Sequence, residues 1–439
     1  MPAKRTLRVE TLSRVEGEGA LHLTVEGGRL TQVELNIYEP PRFFEAFLRG
    51  REIREVPDIT ARICGICPVA YQMSACHALE KALGIRITPE VRRLRRLLYC
   101  GEWIESHALH IYLLHAPDFL GFESGISLAA QHRELVEKGL RLKKIGNQLL
   151  EVLGGRAIHP INVTVGGFYR APSKGDLQAL LPDLRWGLQA AIDTLHVVAG
   201  FDFPALDLDY EQVCVKHPAE YPLNEGNVVS SGGLDIPVEE YEEHFKERHV
   251  PQSTALHSVR VPGDLPYLVG PLARVNLCFD RLSPTARREA EKVKIEWPCR
   301  NNFKSIIARA LELITAYEEA IAIVEDYQAE PSPSRTPFTP AAGEGCHATE
   351  APRGLLYHRY KVAGDGLIAQ ARIVPPTSQN QPRIEADLRA YLPQLLDRED
   401  AEVKRRCEHL IRNYDPCISC ATHFLKVRID RKGPGGITA

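Results

Sequence analysis

The chain has 439 residues, with 54 lysines and arginines against 57 acidic residues and a formal net charge of -3 at pH 7. That balance gives no general attraction for nucleic acid or acidic lipid, and no stretch reaches the roughly 18 uncharged apolar residues that a membrane span needs. The charged start, Met1 to Glu10, lacks the apolar run of a secretory signal, so the expectation is a cytoplasmic chain with no membrane insertion.

Apolar alternation predicts strands over 6–12, 20–26 and 30–37, an antiparallel meander filling residues 1–40. Between the first two lies Ser13-Arg14-Val15-Glu16-Gly17-Glu18-Gly19, where Glu16 and Glu18 share a face if the segment is extended. Taken by itself it reads as a solvated turn. Residues 43–49 predict a short helix that carries Glu45 among Phe43, Phe44, Phe47 and Leu48. A carboxylate in so apolar a setting, if buried, must be paired, protonated or metal-bound.

Arg62-Ile63-Cys64-Gly65-Ile66-Cys67-Pro68 follows, with Pro68 opening a helix to about Leu83. Cysteines just ahead of a helix feel its positive end, which favours thiolate. Helical spacing runs from 88 to 152, broken between Pro117 and Gly125, beside Asp118. Further helices are predicted over 175–199 and 284–328, the latter with an apolar stripe of Phe303, Ile306, Ala310, Leu313, Tyr317, Ile321 and Val324. Residues 202–282 are mixed, and 329–345 read as a connection. Glu350-Ala351-Pro352-Arg353-Gly354 leads into two strand-like runs, 355–362 and 367–374, joined by Ala363-Gly364-Asp365-Gly366 as a hairpin. A helix near 399–412 precedes Asp415-Pro416-Cys417-Ile418-Ser419-Cys420 and His423, where Asp415 is placed to cap a short helix.

The fold class is therefore α+β and predominantly helical: a long-helix core with small antiparallel β elements. Residues 1–40 form the meander, 41–423 the core with its hairpin near 355–374, and 424–439 a C-terminal extension.

Of eleven cysteines, four lie in the two Cys-x-x-Cys pairs and seven are scattered, the usual pattern of small buried thiols. Spacing alone leaves three readings of Cys64, Cys67, Cys417 and Cys420. One is a structural four-cysteine zinc site, although such sites usually take both pairs from one compact segment. A dithiol redox pair would explain either motif but not both. The third is a catalytic soft-metal centre of iron, nickel or copper.

The runs at 62–67 and 415–423, with Arg14 to Gly17, Arg42 to Glu45, Glu350 to Gly354 and Val374-Pro375 in support, resemble the large, catalytic subunit of nickel–iron hydrogenases over nearly the whole chain. The resemblance implies nickel held by all four cysteines, with Cys64 and Cys417 terminal and Cys67 and Cys420 bridging to iron. It implies carbon monoxide and cyanide on that iron, in a pocket formed by Ala351, Pro352, Val374 and Pro375. It also implies a second metal, magnesium or iron, on Glu45, the carbonyl of Arg372 and His423. Arg353 would overlie the open metal position, with Asp118 and Asp415 orienting it.

The implied reaction is reversible heterolytic splitting of H2. Cys417 is the preferred base, since a guanidinium hardly ever deprotonates, and Glu16 is the relay. The chain has no further cysteine cluster for an iron–sulfur centre, so electrons would pass through an iron–sulfur small subunit. Beyond it lie further iron–sulfur subunits and a flavin-bearing NAD(P) reductase. Tyr71 resembles the cytoplasmic NAD(P)-linked and sulfhydrogenase subgroup, and fits helix packing equally. Glu18 stands where a histidine is frequent and is a candidate to share the relay. Pro376 replaces a frequent serine, leaving Thr377 as the candidate hydrogen-bond donor to cyanide. A maturation peptidase would cut after His423, although the alternation of Leu425, Val427 and Ile429 also fits a retained strand. A hydrogen-sensing regulator and a non-catalytic, hydrogenase-like electron-transfer subunit are the alternatives.

Overall fold

The computed structural model describes residues 4–26, 29–39, 43–328 and 334–422. Strands β1 (Lys4–Val9), β2 (Gly19–Glu26) and β3 (Arg29–Ile37) form an antiparallel sheet in that order, with Leu23 facing Leu7 on one side and Val33 on the other. Helices α1 (Phe44–Leu48) and α2 (Val56–Ala61) lead to α3 (Pro68–Leu83). A proline in the first turn starts α3, and Gly84, at φ +65°, ends it.

Helix α4 (Pro89–Leu109) is capped by the Thr88 hydroxyl, which accepts from the Val91 N–H at 3.2 Å. It continues into a π-helical turn, His110–His115, and then α5 (Ala116–Leu120). Helices α6 (Gly125–Gln131) and α7 (Arg133–Gly154) follow, and α7 packs along α4. The two backbones touch at Gly101 and Gly146: a Cβ on Gly146 would lie 2.6 Å from the Gly101 oxygen. Only glycine permits that approach.

Two short strands, β4 (Val163–Thr164) and β5 (Gly167–Phe168), precede α8 (Lys174–Gln178) and α9 (Leu181–Ala199). The mixed region resolves into a three-stranded sheet, β6 (Val213–Lys216), β7 (Asn227–Ser230) and β8 (Asp235–Ile236), then α10 (Tyr241–His244) and a hairpin of β9 (Phe245–Val250) with β10 (Ser253–Arg260). Helices α11 (Pro271–Cys278), α12 (Pro284–Lys292) and α13 (Ser305–Asp326) come next. The single helix expected over 284–328 is thus two. Pro298 lies between them and has no N–H to donate. The helix expected over 175–199 is likewise divided, with Pro182 in the first turn of α9.

Strands β11 (Gly343–Ala351), β12 (Gly354–Val362) and β13 (Ile368–Val374) form one antiparallel sheet. The expected hairpin is its β12–β13 half. The β11 half was hidden in the presumed connection, because Gly343 to Cys346 carry no β-branched residue. Ala351 pairs with Gly354, so Pro352 and Arg353 are the two residues at a hairpin tip. Val374 pairs with Tyr357 near the same end of the sheet. Helices α14 (Pro376–Tyr391), α15 (Asp400–Arg412) and the single turn α16 (Ile418–Ala421) are the last elements among the described residues.

Helix α13 packs against α4 and α9 at the centre of the molecule. It is buried on nearly every side, well beyond the predicted stripe, and carries Arg309 and Glu312 inward with its leucines and isoleucines. Among the described residues, no helix is long and apolar enough to cross a membrane.

Candidate metal centre

Four sulfurs meet where the loop before α3 faces the loop before α16. The Sγ atoms of Cys64, Cys67, Cys417 and Cys420 all lie within 4.8 Å of one another, and all four residues are buried. Cys64 Sγ is 3.5 Å from Cys417 Sγ, and Cys417 Sγ is 2.7 Å from Cys420 Sγ, with all four thiols free.

Local structure explains the placement. Cys64 Sγ accepts the N–H groups of Ile66 and Cys67, each at 3.3 Å. The next free N–H groups of α3, on Val69 and Ala70, are taken by the Glu102 carboxylate at 2.6 and 3.1 Å. On the other side, the Cys417 N–H donates to Thr377 Oγ1 at 3.0 Å, and the Ile418 N–H to the Glu16 carbonyl at 2.9 Å. Asp415 does not cap a helix as expected. It sits at φ +49°, a left-handed conformation that aims its carbonyl at Arg353 Nε, 2.7 Å away. Cys417 takes the cap position instead.

The expected solvated turn at 13–19 is also overturned. Glu16 forms a parallel bridge with Cys417, and its Oε2 accepts from Cys417 Sγ at 3.1 Å and from the Ser419 N–H at 3.0 Å. Glu18 is exposed, and its backbone N–H donates to Glu39, which also accepts from the Ser419 hydroxyl at 2.9 Å. Only Glu16 of the two touches a cluster cysteine.

Arg353, 3% exposed, leans on Asp415 through Nε and through Nη2 at 3.2 Å, while its Nη1 has no partner. Burial works to lower its pKa, but Asp415 and the neighbouring cysteine sulfurs hold it well above the usual arginine value. Asp118 does not orient it, contrary to expectation. Its carboxylate is taken by Arg14 (2.6 and 3.1 Å) and by Arg412 (2.7 and 2.7 Å). The π-helical turn delivers Asp118 to the point where the Glu16 segment and the end of α15 cross. Burial opposes its charge, yet Arg412 and Arg14 keep the carboxyl below its ordinary range.

The residues expected around the diatomic ligands gather at one end of the β11–β13 sheet. Ala351, Pro352, Val374, Pro375 and Thr377 are all buried, and the Ala351 and Pro352 carbonyls accept from Arg274 at 2.9 and 3.0 Å. For the second metal, Glu45 Oε1 accepts the Ile373 N–H at 2.8 Å, which sets the carboxylate beside the Arg372–Ile373 peptide. A cavity of about 400 Å³ is lined by Glu45, Ile373, Cys420 and Thr422 among others. His423 and residues 424–439 lie outside the described residues. Tyr71 is buried against His358, its hydroxyl unpartnered.

Chemically, the cluster is built for a soft cation. Hydrogen bonds from Cys417, Cys420 and Cys67 pull the Cys64 thiol well below its ordinary pKa, whereas burial pushes Cys417 and Cys420 up. Four sulfurs this close can all be thiolates only if a metal shares their charge, and thiolate donors suit nickel, iron, zinc or copper. The donor set fits a nickel-bearing group. Sequence reasoning missed Glu102, Glu39, Ser419 and Arg412. Only Ser419 and Arg412, beside or near the second cysteine pair, carried a local signal.

Residues 42–139 and 265–423 match the nickel-dependent hydrogenase family. The chain is 34% identical over 424 residues to the sulfhydrogenase 1 subunit alpha of Pyrococcus furiosus, covering 96% of this chain and 98% of that one. Its fold follows a NAD+-reducing NiFe hydrogenase in the H2-reduced state with a TM-score of 0.86 at 27% identity, over 96% of this chain and 100% of that one. The Ni-Fe-Se hydrogenase of D. vulgaris Hildenborough shares the fold at a TM-score of 0.76 and 23% identity, over 96% of this chain and 100% of that one. Four buried cysteines converging from the two ends of the family match make this chain a large subunit of the nickel-dependent hydrogenase family, an oxidoreductase acting on H2.

Proposed function

We propose that this subunit catalyses H2 ⇌ 2 H+ + 2 e−, with Cys64, Cys67, Cys417 and Cys420 holding nickel. The same cysteines would also hold an iron that carries carbon monoxide and cyanide. That group, when bound, supplies the polarisation that splits H2 heterolytically. The chain's own residues handle the proton. Cys417 Sγ accepts it and passes it to Glu16 Oε2, 3.1 Å away. This contact is the observation that carries the reading, because it places a carboxylate on one sulfur of a buried four-sulfur cluster.

Arg353, fixed on Asp415 with Nη1 left unpartnered, supplies a permanent positive charge beside the cluster. Ala351, Pro352, Val374 and Pro375 exclude water around the iron ligands, and Thr377 steadies Cys417. Asp118 acts one step back, tying Arg14, and so the Glu16 segment, to Arg412. Glu45, the Arg372 carbonyl and His423 would hold magnesium or iron against the C-terminal segment.

Electrons leave through an iron–sulfur small subunit to further iron–sulfur subunits and a flavin-bearing NAD(P) reductase, in the cytoplasm. The alpha-subunit names of the relatives and the NAD+-reducing neighbour support that assignment. Residues 424–439 are removed by a maturation peptidase.

The test is metal analysis and infrared spectroscopy of the matured complex, followed by hydrogen–deuterium exchange in Glu16→Gln. The expected result is one nickel per chain, carbonyl and cyanide bands, and exchange slowed about 10²–10⁴-fold with metals retained. Absence of nickel or of those bands refutes the reading, and unchanged exchange in the variant removes Glu16 from the relay. A hydrogen sensor would show the bands without nucleotide-linked turnover.

A further inference from the structure

Arg309 stands out among the buried groups that the mechanism leaves unused. It lies on α13 with 1% of its surface exposed, yet it donates one hydrogen bond, from Nη1 to Ser305 Oγ at 3.0 Å, and its Nε has no partner. Ser305 Oγ in turn donates to the Asn413 carbonyl at 2.9 Å. The short loop ahead of Cys417 is thus strapped at three successive points. His110 Nε2 meets the Arg412 carbonyl at 2.8 Å, Ser305 the Asn413 carbonyl, and Arg353 the Asp415 carbonyl.

Two carboxylates are near enough to support the Arg309 charge, Asp415 and Glu312. Glu312 is already committed, with Oε1 accepting from Arg274 and Tyr221 and Oε2 from Arg274 and His107. Asp415 has one oxygen on Arg353, and its Oδ2 is unpartnered. Asp415 is therefore the carboxylate that Arg353 and Arg309 share. Burial works to lower the Arg309 pKa, to about 10, and Asp415 opposes that shift. An uncompensated buried cation costs several kcal/mol unless a nearby anion offsets it. Two residues beyond Asp415 stands Cys417, one of the four sulfurs that would be thiolates once a metal shares their charge.

We propose that Arg309 is a positioning residue of the metal centre: it straps the 413–415 loop through Ser305, and its charge, shared with Arg353 across Asp415, biases the centre toward its reduced state. The inference rests on the nickel–iron reading above and names a residue that the resemblance did not assign. Removing one unit of charge from the surroundings of a buried centre, at an effective dielectric near 20, shifts an equilibrium by roughly an order of magnitude.

The test is infrared-monitored H2 titration of the matured complex carrying Arg309→Gln, Ser305→Asp or Arg309→Lys. Arg309→Gln removes the cation, and Ser305→Asp neutralises it in place. Both should lower the carbonyl and cyanide stretching frequencies and shift the titration about tenfold toward the oxidised state. Arg309→Lys keeps the charge and should stay near wild type. Wild-type bands and titration in loaded Arg309→Gln overturn the proposal, as they do in Ser305→Asp if Arg309→Gln fails to load. Loss of nickel from both in a folded chain overturns it as well, leaving only a structural strap. A wild-type complex without the bands refutes the nickel–iron reading itself, a different failure.

Discussion

Arg274 and Arg353 are both buried in the same core and differ in one respect. All five N–H groups of Arg274 have acceptors: Glu312 twice, Glu350 once, and the carbonyls of Ala351 and Pro352, at 2.6 to 3.0 Å. It also lies over the Trp103 ring. Arg353, one residue beyond Pro352, leaves Nη1 without a partner. The first arginine is saturated by the scaffold and fixes the hairpin tip. The second is held from one side only, by Asp415, and stands close enough to the cluster cysteines for their charge to act on it. Rigidity and reactivity are separated over two residues of chain, and the saturated cation positions the unsaturated one.

The comparison breaks most completely if the sulfurs are not what Arg353 serves. Cys64→Ala should lose all nickel and all H2 turnover, while the unfolding midpoint of the metal-free chain stays near that of metal-free wild type. A midpoint collapse would show that Cys64 belongs to the scaffold instead. Arg274→Met leaves the buried Glu312 and Glu350 without their shared arginine, and should cost about 3–5 kcal/mol in urea unfolding. Less than about 1 kcal/mol would mean the network is dispensable. Arg353→Lys should fold and load nickel as wild type does, yet lose roughly 10²–10³-fold in H2 oxidation rate, and equal rates would remove Arg353 from catalysis.

The smallest effect sharpens the picture. Burial raises Glu350 from its ordinary 4.5 to about 7, with Arg274 pulling the other way. Between those values the folded chain holds a proton that the unfolded chain has released, so stability should fall as pH rises through that window. Glu350→Gln should make the slope of urea midpoint against pH shallower there. An unchanged slope would assign the effect to Glu105, which burial also raises to about 7.

Much of the centre was legible in sequence because its chemistry is local. Each cysteine pair has its own spacing, a proline, and a helix beside it. The three strands at the start and the long helices followed their periods. What stayed hidden was long-range. Glu16 looked like a turn residue because Cys417, the group that gives it meaning, is 401 positions away. Asp118 was assigned to Arg353 on the family resemblance alone, and only the crossing of Arg14 and Arg412 shows which arginines claim it. Arg309 and Glu312 lie off the apolar stripe predicted for this helix, and one sequence cannot reveal that the polar face is enclosed by other elements. The left-handed Asp415 was missed because an aspartate ahead of Pro416 reads as a helix cap, although aspartate also visits that region on occasion.

The meeting of Glu16 with Cys417 also has a consequence for biosynthesis. On a ribosome, residues near the start emerge and fold well before those near the end, so the pocket waits half-built, with two sulfurs in place and two still to be made. Metal capture would then be a closing event that cross-links the first sixth of the polymer to its last tenth. A tie across so long a loop withholds roughly 5–6 kcal/mol of chain entropy from the unfolded state, and stripping the metal gives that freedom back.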